Sequence, residues 1–168
     1  MKDLNVVDCK PLFELMKDAR RSDRTLAKVL GMSQPTITRR RAKLEKELID
    51  GYTAIPKWEK LGYSLFAMTF IKIKPAIASK EKYAAVRKKG LEWLMSQPNI
   101  VMAGACRGIG ADSFMISFHK TYSDYDEFMR NYRLELAEFI DNVESVLVNI
   151  CGKELLKPLN FRYLTEAR

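Results

Sequence analysis

SDRTLAKVLGMSQPTITRRRAKLEKELI, residues Ser22 to Ile49, decides how the chain reads, because it holds two helical stretches joined at a single glycine. Ser22 is placed to cap the first stretch, and Leu26, Val29 and Leu30 share an apolar face. Gly31 can take the left-handed conformation that ends a helix at no steric cost. Ser33 is placed to cap the second. Pro35 falls in its first turn, where a missing N–H costs nothing, and Ile37, Leu44 and Leu48 recur at helical spacing toward a core. Thr38, Arg39, Lys43 and Lys46 are then expected to face water. This is a helix-turn-helix pattern, and its second helix suits the DNA major groove. Ser33, Gln34, Thr36 and Thr38 are the candidates for base-edge or adjacent phosphate contacts, Gln34 being matched to adenine, and Arg39, Arg40 and Lys43 are the candidates for backbone phosphates.

Upstream, Asp8 is expected to cap a first helix that tolerates Pro11 near its start, buries Leu12, Leu15 and Met16, and ends near Asp18. Arg20, Arg21 and Arg24 sit at the junction. Downstream, Asp50-Gly51 reads as a turn, and Tyr52, Thr53 and Ile55 are strand formers, which predicts a short strand or wing. The composition shifts after Leu61-Gly62, so residues 1–60 are expected to form one domain and residues 61–168 a second.

Charge follows that division. Thirteen Lys and Arg against eight Asp and Glu in Met1–Lys57 give +5 of the total +8, the polyanion-attracting balance of a nucleic-acid-binding domain. The 168 residues are 47% hydrophobic and 30% charged, values that exclude a disordered chain. Cys9, Cys106 and Cys151 are odd in number and widely spaced, which argues against a disulfide framework or zinc finger and for a reducing compartment. The longest apolar stretch, Leu61 to Ile71, falls well short of the roughly twenty residues needed to span a bilayer. MKDLNVVDCK lacks the apolar core of a signal peptide. A cytoplasmic protein is expected, without membrane segment, metal or cofactor.

The second part alternates strands and helices. SLFAMTFIKIKP from Ser64 is a strand closed by Pro75, Ser79–Ser96 a helix stopped by Gln97-Pro98-Asn99, and Ile100–Arg107 and Ser113–His119 a hairpin around Gly108–Asp112. Ser123 and Asp126 have capping-box spacing before a helix with Tyr125, Phe128, Met129, Tyr132, Leu136 and Phe139 on one stripe, and Val143–Ile150 is the final strand. The order βαββαβ is ferredoxin-like, so the fold class is α+β, a winged helix-turn-helix domain followed by an antiparallel sheet with two helices on one face. The first strand is apolar on both sides, with Ala67 and Ile71 on one and Phe66, Met68 and Phe70 on the other. Helices can cover only one side, and a second copy of the chain is expected on the other, presenting two recognition helices to two half-sites.

In this order, DARRSDRTLAKVLGMSQPTITRRRAKLE, IDGYTAI, LGYS and QPNIVMAGACRGIGADSFMISF resemble the Lrp/AsnC, or feast/famine, regulators over nearly the whole chain. The resemblance implies regulation of transcription at palindromic promoter sites, dimers that gather into larger rings, and a small effector, often an amino acid, bound near the second domain's hairpin turn. On this chain that turn is Gly108, Ile109, Gly110, Ala111 and Asp112, with Asp112 matching the family's acidic residue; Gly108, Gly110 and Asp112 are the candidate effector contacts. Three departures stand out. KELIDG has no glycine before Gly51, Arg41 occupies a usually aliphatic core position, and Ile109 stands where the hairpin glycine is usual.

A contrasting reading is enzymatic, since a branch resembling this family decarboxylates tetrapyrroles of sirohaem type on the same layout. That chemistry needs protonating side chains in a large cleft. The single histidine, His119, is expected at an ordinary strand end, and no triad, metal-ligand spacing or nucleotide loop is present. A sequence-specific DNA-binding regulator, not an enzyme, is the expectation, with double-stranded DNA, a second copy of itself and a small effector as partners.

Overall fold

The computed structural model describes residues 6–77, 80–153 and 155–165, and divides the chain into two compact units, Met1–Ile55 with Leu159–Arg168, and Pro56–Pro158. In the first unit, α1 (Val6–Lys17), α2 (Asp23–Leu30) and α3 (Gln34–Glu47) pack around Leu15, Leu26, Ala27 and Ile37, with Leu30, Met32 and Ile49 at the edge of this core. Helix α1 starts before Asp8, the expected cap, and runs through Pro11, whose fully buried ring offsets the one backbone bond it removes. Ser22 caps α2 by accepting from the Thr25 N–H, and Gly31 ends it at φ 64°. Val29 is 53% exposed, not on the apolar face, because α2 turns Leu26, Ala27 and Leu30 to the core. Leu48 likewise lies beyond the end of α3 and is 40% exposed. A 3-10 turn at Phe161–Thr165 packs on α1, so the chain's last described segment belongs to this unit.

The expected wing strand does not form. Gly51–Lys57 has no regular structure, since no neighbouring strand offers it a ladder, and Tyr52 instead turns its hydroxyl to Glu45 Oε1 at 2.8 Å. The units divide between Ile55 and Pro56, a few residues before the expected joint, and Trp58 of the 3-10 helix Trp58–Leu61 stacks on Phe118 with ring centroids 4.4 Å apart.

In the second unit, β1 (Leu65–Ile73), α4 (Lys80–Ser96), β2 (Ile100–Gly108), β3 (Ala111–His119), α5 (Tyr122–Glu135) and β4 (Ile140–Asn149) make the βαββαβ order. Ser79, the expected start of α4, lies outside the described residues. The sheet runs β2-β3-β1-β4, antiparallel throughout, with Met68 opposite Ile116 on one side and Val146 on the other. Ala67, Thr69 and Ile71 face the helices, where Trp93, Met115, Phe128, Met129, Tyr132 and Leu136 complete the core. Helix α5 begins earlier than expected. Its cap is Thr121, accepting from the Asp124 N–H at 3.1 Å, and Ser123 is already inside the helix, because the chain reverses directly after β3. Strand β4 also starts earlier, at Ile140, continuing the pairing with β1 past a register shift at Lys72/Ile73. No described helix is long and apolar enough to cross a membrane.

Candidate nucleic-acid interface

The face of α3 opposite Ile37 and Leu44 carries Arg39, Ala42, Lys43 and Lys46, all exposed. Their spacing repeats the helical period, and Ala42 leaves a small residue between flanking cations. Arg39 has no hydrogen-bond or ion-pair partner among the described residues, so its guanidinium is available to a phosphate. Arg40 is half-buried at the flank.

At the N-terminal end of α3 the hydroxyls are partly committed. Ser33 Oγ accepts from the Thr36 N–H at 3.4 Å and lies 2.8 Å from Thr36 Oγ1, fixing where the helix starts. Gln34 is exposed, and its side-chain amide has no partner among the described residues, which leaves both donor and acceptor for a base edge. Thr38 is exposed but donates its hydroxyl proton to Asp23 Oδ2 at 2.7 Å.

The arginine run is divided by its surroundings. Arg41 turns toward α2: its Nη1 donates to Asp23 Oδ1 at 2.9 Å and to the Arg21 carbonyl at 3.0 Å, and its Nε to Glu45 Oε1 at 3.2 Å. The guanidinium also lies 5.9 Å from the centre of the Tyr52 ring. Bonds from Thr38 first, then from Arg41, hold the Asp23 carboxyl below the usual carboxylate range, while Asp23 raises Arg41 further above its already high value. Arg21 pairs with Glu14, which Lys17 also reaches at 2.6 Å. The i,i+4 spacing makes pairing of the arginine run with Glu45 readable in the sequence, whereas nothing in the sequence singles out Asp23 or Tyr52 as neighbours of Arg41. Asp23 is legible as a favourable first-turn acid of α2, but its partners lie fifteen or more residues away across a helix contact, where no local pattern points.

In the second unit, β2 and β3 are joined through Ile109 and Gly110, with φ 126° at Gly108, 47° at Ile109 and 72° at Gly110. Two successive positive φ values make a tight hairpin turn, and the β-branched Ile109 is strained there and 80% exposed. Asp112 Oδ2 accepts from the Ile73 N–H at 2.8 Å, so one carboxylate oxygen braces the end of β1. A cleft of about 310 Å³ lined by Arg133, Ala137, Ile140, Asp141, Asn142 and Val143 lies apart from the turn's residues.

His119 is not at an exposed strand end. It is fully buried, its Nε2 2.8 Å from Ser117 Oγ and its ring against Tyr125 and Phe128, and Nδ1 has no hydrogen-bond partner. Burial lowers its pKa, opposed by Asp124 at 3.8 Å.

Residues 4–45 match the model of the AsnC-type helix-turn-helix domain. Over 147 residues the chain is 29% identical to the HTH-type transcriptional regulator FL11 of Pyrococcus furiosus, covering 85% of this chain and 82% of that one. It is 27% identical to the leucine-responsive regulatory protein of Rhizobium meliloti over 146 residues, 86% of this chain and 88% of the relative. A transcriptional regulator of Neisseria meningitidis, solved as its complex with L-Met, has the same fold with a TM-score of 0.77 at 21% identity, covering 96% of this chain and 99% of that one. The chain thus carries an AsnC-type helix-turn-helix domain over residues 4–45 in front of a βαββαβ unit, and it is similar to regulators of the Lrp/AsnC type along most of its length.

Proposed function

We propose that the protein is a sequence-specific, DNA-binding transcriptional regulator that binds promoter DNA as a homodimer and acts in the cytoplasm. The observation that carries this reading is the outward face of α3, where Arg39, Lys43 and Lys46 are exposed in one stripe and Gln34 presents an uncommitted amide at the helix N-terminus. Cations on this stripe supply sequence-independent attraction to phosphates, and Gln34 can make a bidentate contact with adenine.

The dimer is supported by the sheet. Phe66, Met68, Phe70, Ile116, Val146 and Val148 lie on the face turned away from the helices, and Val146 is 50% exposed. An apolar sheet face of this kind is stabilised by a second copy, and pairing by a two-fold axis gives the two reading helices that a palindromic site needs. For an effector, Gly108, Gly110 and Asp112 are the proposed contacts, and an amino acid is the proposed class. Asp112 keeps one carboxylate oxygen beyond its bond to Ile73, able to accept from an ammonium group.

Fluorescence anisotropy with a duplex from the region upstream of the protein's own gene, beside a scrambled duplex, tests the main reading. Preference for the upstream duplex and loss of affinity on Gln34→Ala or Arg39→Ala are expected. Equal, weak binding to both, unchanged by either substitution, contradicts it. Calorimetric titration with L-methionine and other amino acids, repeated on Asp112→Asn, tests the effector site; no heat of binding from any of them removes the amino-acid proposal.

A further inference from the structure

The three arginines of the run are equivalent in charge and are placed differently. Arg41 spends its donors on Asp23, on the Arg21 carbonyl and on Glu45, and Glu45 in turn accepts from Tyr52 in the segment after α3. Asp23 receives both Thr38 and Arg41, at 2.7 and 2.9 Å. Those two residues lie three positions apart on α3, so a single carboxylate at the start of α2 meets α3 at two points about one turn apart. One contact would fix only a distance. Two along the axis also fix rotation and tilt, the variables that decide whether Gln34 and Arg39 meet a groove in register. Asp23 and Arg41 side chains are each 21% exposed, dry enough for their geometry to hold and wet enough for either to be replaced without unfolding the unit.

We propose that Asp23 and Arg41 are a positioning pair, which sets the angle of the DNA-reading helix on α2 and holds the third arginine of the run away from DNA. This rests on the DNA-binding reading above. Its distinctive consequence is electrostatic. Arg41 is always charged. Without Asp23 it is held only by the Arg21 carbonyl and the more exposed Glu45, contacts that a phosphate can outcompete, so it adds affinity for any sequence while the loosened helix loses discrimination.

Anisotropy titrations of the full chain across a salt series, with the upstream duplex and a random-sequence duplex, read both effects. Arg39→Ala, the reference for a true phosphate contact, lowers the slope of log affinity against log salt by about 0.9. Arg41→Ala is expected to leave the slope at the wild-type value and to reduce the preference for the upstream duplex several-fold. Asp23→Ala is expected to steepen the slope by about 0.9 and to reduce the preference as well. The double variant should return to the wild-type slope and discriminate no worse than either single, because the two act as one unit. Arg41→Lys keeps the charge without the planar fork and should not restore preference.

A slope lowered in Arg41→Ala as in Arg39→Ala makes Arg41 a phosphate contact and overturns the proposal, as does an unchanged slope and preference in Asp23→Ala. If the wild-type protein binds neither duplex, the DNA-binding reading fails by itself, and urea midpoints then decide the pair. A double variant unfolding at the midpoint of the single variants supports the coupling, and shifts that simply add overturn it.

Discussion

Single side chains of the first unit divide into those that hold it together and those that face outward on α3. Leu26 and Ile37 are fully buried between helices of the first unit, and Leu26→Ala should cost about 2–5 kcal/mol in chemical denaturation. Arg39→Ala should leave the unfolding midpoint unchanged while weakening DNA binding. His119 gives a pH dependence. Burial lowers its pKa in the folded protein, opposed by Asp124, whereas the unfolded chain takes up a proton near the ordinary value of about 6.5. Stability should be level above about pH 7 and fall as pH drops through 6.5, where the unfolded state binds the additional proton. Glu14 and Asp23, whose carboxyls are held below their usual range, add a separate loss only under more acidic conditions. Urea midpoints from pH 7.5 to 5, in wild type and His119→Gln, check this; an equal decline in both contradicts it. Gln34 and Arg39 were legible in the sequence because their exposure follows from helical spacing. The burial of His119 was not, since the end of β3 is covered only once Tyr125 and Phe128 of α5 fold over it.

At the scale of elements, start signals were readable and their choice among neighbours was not. Thr121-x-x-Asp124 and Ser123-x-x-Asp126 are the same pattern shifted by two residues. Chain reversal after His119 selects the first, and Asp124 also accepts from the Lys120 N–H at 2.9 Å. Thr121→Ala should therefore lower stability by about 1 kcal/mol, and Ser123→Ala should stay within about 0.5 kcal/mol of wild type; the reverse order would assign the cap to Ser123. Ser22, Gly31 and Ser33 had no such competitor, and these three caps were legible to the residue. The wing is where propensity and structure part. Tyr52, Thr53 and Ile55 have strand propensity, but propensity makes no strand without a partner, and Tyr52 finds Glu45 and Arg41 on α3 instead.

Across the whole molecule, the βαββαβ order was legible from alternating periods, and so was a first strand that is apolar on both sides. The return of Phe161–Thr165 to the first unit was not, because nothing local marks which of two units a terminal segment joins. Val146→Glu places a charge on the proposed dimer face, beside Met68, and should yield a folded monomer by sedimentation with near-native circular dichroism. A dimer that survives this change pairs through another surface. A hydroxyl-radical footprint on the protein's own upstream region, with wild type and Val146→Glu, shows whether the outward α3 faces of two copies read DNA together. Two protected patches about one helical turn apart, roughly 34–36 Å, are expected with wild type, and loss of both at the same concentration with the variant. No protection by the wild-type protein, or an identical paired footprint from the monomeric variant, would contradict it.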